Sequence, residues 1–136
     1  MLGLEVGGRR STLEPALIEL VKMRASQING CAYCLDMHSK DARAAGETEQ
    51  RLYLLSTWRE TPLYSERERA ALDWTEAVTQ ISTNDLPDVL YAKVRVHFEE
   101  RELVELTLAI IAINGWNRLA IAFRTEAGSY QVKPVA

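Results

Sequence analysis

Three residues suited to redox and proton-transfer chemistry lie within one short stretch of the chain, namely Cys31, Cys34 and His38. They include both cysteines of the protein and one of its two histidines. On a helix, the spacing i, i+3 and i+7 places all three side chains on one face. Two neighbouring thiols can alternate between a dithiol and a disulfide, and a nearby histidine can accept or deliver a proton. The stretch therefore predicts a redox centre on one helical face.

The same residue types allow two other interpretations. The cysteines could be small buried residues of the core, as free cysteines often are. Together with His38 they could also bind zinc, with His97 or a carboxylate as the fourth ligand, although the chain lacks the second close-spaced ligand pair of most structural zinc sites. His38 could instead be an exposed helix residue that pairs with Asp36 or Asp41.

The composition is that of a globular protein and gives no sign of a nucleic-acid or anionic-membrane surface. The 136 residues are 47% hydrophobic and 26% charged, with a formal net charge of -3. No run of about 18 apolar residues occurs, so we expect no membrane span. Since no secretory signal is recognisable, we expect a cytoplasmic location, where a close cysteine pair is more often catalytic or metal-binding than structural.

The elements that must position these residues are helices, because apolar residues recur at helical spacing and no segment alternates convincingly with the period of a strand. The pattern predicts one all-α domain of about six helices over residues 12–126, between a flexible arm at 1–11 and an irregular tail at 127–136. Start and stop signals place the helices near residues 13–29, 31–45, 48–59, 66–82, 87–98 and 101–124.

Local signals define several helix ends. Ser11 or Thr12 is expected to cap the first helix, Gly30 to end it, and Ser65 with Glu68 to form a capping box at the fourth. The last helix is apolar nearly all round, which favours a place in the middle of the bundle or in a subunit interface. Six helices in so short a chain leave apolar faces to cover, and this favours an oligomer.

The residues around the cysteines resemble the active-site core of the AhpD-like alkylhydroperoxidases, which belong to the carboxymuconolactone decarboxylase superfamily. The resemblance rests on Glu19, Cys31-Ala32-Tyr33-Cys34, His38 and Ala42-Arg43-Ala44-Ala45-Gly46. It covers residues 12–82 well, and the later segment Trp116-Asn117-Arg118 is also similar to the C-terminal helix of many members.

The resemblance implies an all-helical fold, an obligate oligomer that is often a trimer or hexamer, and thiol-dependent reduction of organic hydroperoxides or H2O2. It implies Cys34 as the peroxidatic cysteine, Cys31 as the resolving cysteine, and His38 with Glu19 as a proton relay. No cofactor or metal is expected, and an external dithiol, either a protein or a small thiol, would restore the reduced pair. Glu19 can reach His38 only if the turn at Asn29-Gly30 folds the first two helices against each other.

Helix electrostatics and the position of the histidine favour different cysteines as the nucleophile. Cys31 lies at a helix N-terminus, whose partial positive charge favours a thiolate. His38 is four residues from Cys34 and seven from Cys31, and a histidine partner lowers the pKa of a thiol more than a helix terminus does. We therefore expect Cys34 to attack the peroxide.

Tyr33 stands between the cysteines, where the best-known peroxidases of this type have a second histidine. This departure bears on the turnover rate and on the physiological peroxide, and we expect Tyr33 to line the entrance to the site. One alternative function is a redox-sensing or disulfide-reductase interaction module without significant peroxidase turnover. Another is a decarboxylase-type lyase of the same superfamily, although those decarboxylases lack this cysteine pair.

Overall fold

The computed structural model describes residues 1, 3–4 and 11–134, so most of the predicted arm at 1–11 lies outside the described residues. Regular structure in the described residues is helical throughout, which confirms the predicted all-α fold. From residue 11 onward the α-helices are α1 (Pro15–Asn29), α2 (Ala32–Ala44), α3 (Glu49–Tyr53), α4 (Glu66–Thr79), α5 (Asp88–Arg95) and α6 (Glu100–Ala122). Two short 3-10 helices cover Leu55–Glu60 and Ile81–Thr83.

The first helix, α1, packs against three others, α2, α4 and α6. Its side chains Leu17 and Val21 are four residues apart, so both face the same way, and both are buried. They join Leu106 and Ile110 of α6 in the main hydrophobic cluster of the protein. The residue that α1 contributes to the candidate site, Glu19, is thereby held on a helix that is fixed along most of its length.

The last helix, α6, is buried on one side only. Leu106 and Ile110 are fully buried, whereas an opposite stripe is exposed and consists of Val104, Leu108, Ile111 and Leu119. Of the helices in the described residues, α6 alone has the length and hydropathy of a membrane span, and central helices of globular bundles meet the same criterion. Its buried side makes it part of the bundle, and its exposed apolar stripe agrees with the expectation of a surface to be covered.

The predicted cap of the first helix is wrong. The helix begins at Pro15, and its N-cap is Glu14 without a capping hydrogen bond from the side chain. The hydroxyls of Ser11 and Thr12 both donate to the Glu105 carboxylate on α6 instead. Proline at the first helical position has its torsion fixed in advance and needs no acceptor for a backbone N–H, so this helix can start without a capping side chain.

The predicted third helix, residues 48–59, is interrupted. It is divided into α3, which ends at Tyr53, and a 3-10 helix that begins at Leu55. Thr57 inside this segment has non-helical torsions (φ −117°, ψ 27°), and its hydroxyl donates to the Leu54 carbonyl. The tighter 3-10 turn aligns residues three apart, so that Leu55 and Trp58 are both buried. Helical periodicity alone does not distinguish this arrangement from a continuous helix.

The turn between α1 and α2 brings the two cysteines to the start of a helix. Gly30 has a left-handed backbone (φ 71°), a conformation that glycine adopts without a steric penalty. The N–H of Cys31 donates to the Ser26 carbonyl at 3.0 Å, which closes the end of α1. The chain then reverses, and α2 packs against α1. This is the fold-back that a contact between Glu19 and His38 requires.

Candidate active site

The predicted redox centre consists of Cys31 and Cys34, which are joined by a disulfide in this structure. Cys31 is the N-cap of α2, and the backbone N–H of Cys34 donates to its sulfur at 3.3 Å. Both residues are buried, with 1% and 4% of their surface exposed. A bond between residues three apart closes a very small loop, so it constrains little of the unfolded chain and is suited to reversible chemistry.

The surroundings of the sulfurs are mainly apolar. Ala25 of α1 and Ile113 of α6 form one buried cluster with the two cysteines, and Tyr33 and Ala120 are partly buried beside it. A surface groove of about 310 Å³ reaches this cluster and is lined by Cys31 and Tyr33, among others. Tyr33 thus lies beside the groove that leads to the disulfide, which agrees with its expected place at an entrance.

Glu19 and His38, the residues predicted to form a proton relay, are hydrogen-bonded across two helices. Nδ1–H of His38 on α2 donates to Oε2 of Glu19 on α1 at 3.0 Å. Both side chains are largely shielded from water, with 12% of His38 and 21% of Glu19 exposed. In the neutral imidazole this hydrogen bond leaves Nε2 as the proton acceptor. Since His38 follows Cys34 by one helical turn, the imidazole lies on the helix face that carries that cysteine.

A second acidic residue, Asp41, lies next to this pair. One donor atom each of Glu19, His38 and Asp41 lies within 4.8 Å of the others. Among the described residues, these three form the group whose ligand atoms lie close enough together to bind a divalent cation. Each of the three already has a hydrogen-bond partner. Glu19 accepts from His38 and Asp41 accepts from Tyr130, so hydrogen bonds hold all three side chains in this structure.

The alternative zinc site, Cys31, Cys34 and His38 with a fourth ligand, is not the arrangement that this structure has. The two sulfurs are bonded to each other, whereas zinc binding requires free thiolates. His97, one of the suggested fourth ligands, lies just beyond α5, and its backbone carbonyl accepts from Arg67 of α4. The structure therefore pairs these cysteines with each other and His38 with Glu19.

The C-terminal segment, residues 123–134, follows α6 without regular structure and contacts α2. The N–H of Gly128 donates to the Asp36 carboxylate at 3.0 Å, and Lys40 donates to the Tyr130 carbonyl at 3.0 Å. The hydroxyl of Tyr130 donates to Asp41 at 2.7 Å. The tail was predicted to be irregular, but these contacts with the helix that carries the site have no signal in the sequence.

These contacts shift two pKa values. The hydrogen bond with Lys40 lowers the pKa of Asp36, and the Gly128 N–H acts in the same direction. The hydrogen bond to Asp41, followed by burial and the nearby negative charges, raises the pKa of Tyr130 to about 12. Tyr130 therefore keeps its proton, and remains a hydrogen-bond donor, throughout the range in which histidine titrates.

A buried amide network fixes the end of α1 from which the cysteine turn starts. Asn117 of α6 is fully buried; its side-chain N–H donates to the Ser26 hydroxyl, and its carbonyl oxygen accepts from Asn29. Asn29 also donates to Asn114 at 2.8 Å. The sequence singled out Asn117 as a polar residue in an apolar helix that needs a partner. Its partners at the end of α1 were not predicted.

Replacing Asn117 by alanine is expected to reduce the free energy of unfolding by about 2 kcal/mol, since it removes one of the two acceptors of the Asn29 amide and the donor to the buried Ser26 hydroxyl. Urea denaturation of the reduced protein measures this change. Arg118→Ala is the matched control, because Arg118 is the next residue on the same helix and is exposed. Its expected effect is below about 0.5 kcal/mol, and equal effects of the two substitutions would contradict the assignment.

Comparison with known proteins places this arrangement in a family. The carboxymuconolactone decarboxylase family profile matches residues 2–77. The uncharacterized Bacillus subtilis protein YdfG is 46% identical over 129 residues, which are 95% of this chain and 88% of that protein. The crystal structure of ATU0492 from Agrobacterium tumefaciens has a TM-score of 0.91 at 47% identity, over 95% of this chain and 88% of that chain. ATU0492 is a protein of unknown function to which an AhpD-type antioxidant defence role is ascribed.

A more distant structure shares the fold alone. A variant of the debrominase Bmp8, solved in complex with 2,3,4-tribromopyrrole, has a TM-score of 0.80 at 23% identity, over 93% of this chain and 68% of that chain. By contrast, the family profile matches more than half of this chain, and the similarity to YdfG extends over nearly all of it. This chain is a member of the carboxymuconolactone decarboxylase family and has the all-α fold of its AhpD-like proteins.

Proposed function

We propose that this protein is a thiol-dependent peroxidase that reduces organic hydroperoxides or H2O2. The observation that carries the proposal is the hydrogen bond between Glu19 and His38, on the face of α2 that also carries Cys34 and its disulfide partner Cys31. A redox-active sulfur pair needs a group that takes and returns protons, and a partly buried carboxylate–imidazole pair is such a group. The antioxidant role ascribed to ATU0492 supports the same activity.

In the proposed reaction, His38 takes the proton of Cys34, and the thiolate attacks the terminal oxygen of the peroxide. A sulfur–oxygen bond forms, the O–O bond breaks, and the leaving alkoxide takes the proton from His38 as the alcohol. The thiol of Cys31 then attacks the sulfenic acid, so that the disulfide forms and water leaves. One hydroperoxide and two thiols thus give one alcohol, one water and one disulfide.

The cycle requires an external dithiol, since the chain has only two cysteines. We propose a dithiol protein or small thiol that restores the pair by two exchange steps, during which one of its sulfurs bonds transiently to this protein. The groove beside Cys31 offers an approach to the disulfide. No metal or other cofactor takes part in these steps.

The proposal is tested by a stopped-flow titration of the reduced protein with H2O2 and, separately, with an alkyl hydroperoxide. We expect both thiols to be lost with one equivalent of peroxide, and the corresponding alcohol to appear in equal amount. The preferred peroxide is the one with the larger second-order rate constant. Thiol loss no faster than that of a free cysteine at the same pH would contradict the proposal.

A redox-sensing module is the second candidate, and the exposed apolar stripe of α6 is the observation that favours it. We propose that copies of this chain associate, as a trimer or hexamer, through that stripe in the cytoplasm. In a sensor, the redox state of the disulfide would change this association. Sedimentation of the reduced and oxidised protein, beside the peroxide assay, separates a sensor from a peroxidase with a constant assembly.

A lyase of the decarboxylase type is the third candidate, and its support is the family itself. Such a reaction needs no sulfur chemistry, so it would persist in a protein that lacks both cysteines. A Cys31→Ser/Cys34→Ser double variant that retains full activity on a lactone acid would favour this function over the peroxidase.

A further inference from the structure

The relay histidine has a competing carboxylate within reach on its own helix. Asp41 follows His38 by three residues, which is the spacing of neighbouring side chains on one helix face. One oxygen of Asp41 lies within 4.8 Å of the donor atoms of Glu19 and His38. Two carboxylates therefore stand beside one imidazole, yet His38 bonds only to Glu19 in the contacts described above. A separate feature of the structure holds Asp41.

That feature is the C-terminal segment. Its Tyr130 hydroxyl donates to Oδ1 of Asp41 at 2.7 Å, a short and well-formed hydrogen bond. The backbone around Tyr130 is anchored at two further points, by Gly128 on Asp36 and by Lys40 on the Tyr130 carbonyl. These anchors reach two residues one helical turn apart on α2, so the segment is held along the helix and the hydroxyl has a defined position.

We propose that Tyr130 is a positioning residue of the active site, which holds Asp41 and so leaves Glu19 as the proton partner of His38. The role in thiol chemistry rests on the proposed peroxidase function, but the choice between the two carboxylates is a property of the folded chain. Tyr130 acts through Asp41, by holding that carboxylate in a hydrogen bond of its own.

The charged groups near the imidazole determine how the protonation of His38 should change when the Tyr130 hydroxyl is removed. Those on the elements packed against the imidazole are Glu19 and Lys22 on α1, Asp36, Lys40 and Asp41 on α2, and Tyr130 on the C-terminal segment. On α6, Ile113 and Ala120 of the cysteine cluster are uncharged. Glu105 of α6 lines a groove together with Glu19 and Lys22, and its carboxylate accepts from Ser11 and Thr12. Lys40 is paired with Asp36, so Asp41 is the negative charge whose partner depends on Tyr130. Since the pKa of Tyr130 is raised to about 12, its hydroxyl stays a hydrogen-bond donor throughout the pH range in which histidine side chains ordinarily titrate.

Removing the hydroxyl with Tyr130→Phe is expected to free Asp41 to bond to His38. A second carboxylate favours the imidazolium, so a larger fraction of His38 will be doubly protonated at pH 7, as measured by the 15N shifts of the ring. His97→Gln identifies the His38 signals, because the chain has two histidines. The acid limb of the pH profile for peroxide consumption should move to higher pH by about half a unit or more.

Two further variants separate positioning from a general effect of losing a tyrosine hydroxyl. Tyr53→Phe is the matched control, because Tyr53 is 73% exposed and its hydroxyl contacts Glu49 on α3. Tyr53→Phe should change neither the imidazolium fraction of His38 nor the acid limb of the pH profile. The double variant Tyr130→Phe/Asp41→Asn removes the competing charge and should bring the imidazolium fraction and the acid limb back toward those of the parent protein.

The 15N shifts of the His38 ring test the positioning role of Tyr130 independently of peroxidase activity. If the protein consumes no peroxide but Tyr130→Phe still raises the imidazolium fraction of His38, the peroxidase proposal fails and the positioning role stands. If peroxide is consumed and Tyr130→Phe changes neither the ring protonation nor the acid limb, the positioning role is overturned. A double variant that keeps the full shift also overturns it, because the effect would then not pass through Asp41.

Discussion

Replacing Cys34 by serine is expected to lower the rate of peroxide consumption by about a thousandfold or more, because the variant lacks the attacking sulfur. The Cys31→Ser variant has a different expected result. It should react once with peroxide at a rate near that of the parent protein and then stop, since no thiol is left to resolve the sulfenic acid on Cys34. Stopped-flow measurement of peroxide loss, with the reduced variants in excess, distinguishes the two.

A second measurement identifies which cysteine carries the trapped sulfenic acid. A dimedone adduct on Cys34, located by mass spectrometry, is expected for Cys31→Ser after one equivalent of peroxide. The same treatment of Cys34→Ser should give no adduct above background. Both variants lack the disulfide, so a difference between them cannot come from its loss alone.

The opposite result would exchange the roles of the cysteines. The structure contains an argument for that outcome, since Cys31 caps α2, accepts the N–H of Cys34 and lines the surface groove. Against it stands the position of the relay, because His38 is one turn from Cys34 and two turns from Cys31. A sulfenic acid on Cys31 in the Cys34→Ser protein would show that the helix terminus outweighs the histidine.

The sequence could predict the parts of the site that follow from spacing along a helix. Cys31, Cys34 and His38 share a face because α2 forms, and Gly30 ends α1 because a left-handed residue is needed there. The place of Glu19 opposite His38 was an expectation from the family resemblance, and its distance depended on how α1 and α2 pack. Periodicity predicts which face of a helix is apolar, but not which residue of a neighbouring helix it meets.

The parts that could not be predicted depend on the path of the chain in three dimensions. Tyr130 lies 89 positions from Asp41, in a segment with no helical pattern, so nothing local relates the two. The partners of Asn117 are likewise about 90 positions away, at the end of α1. Polar residues in an apolar helix indicate that partners exist, while their identity follows only from the packing of α6 against α1.

The Glu19→Gln variant is expected to react with peroxide about a hundredfold more slowly than the parent protein. Glutamine retains an oxygen that can accept Nδ1–H of His38, but it carries no charge to stabilise the imidazolium that forms when His38 takes the thiol proton. The imidazolium is therefore less favoured, and the loss should appear in the step that oxidises the thiol. Single-turnover stopped-flow kinetics of the reduced variant measure that step directly.

The effect of Glu19→Gln should be specific to this carboxylate and visible in the pH dependence. Glu49→Gln is the matched control, since Glu49 is 60% exposed and pairs with Arg43 at the surface, and it should change the rate by less than twofold. Without the Glu19 charge, His38 loses its proton at lower pH, so the acid limb of the profile should move down. That shift is opposite to the one expected for Tyr130→Phe, in which a second carboxylate is added beside the imidazole. A hundredfold loss without any movement of the acid limb would mean that Glu19 acts on the sulfur by another route than through His38.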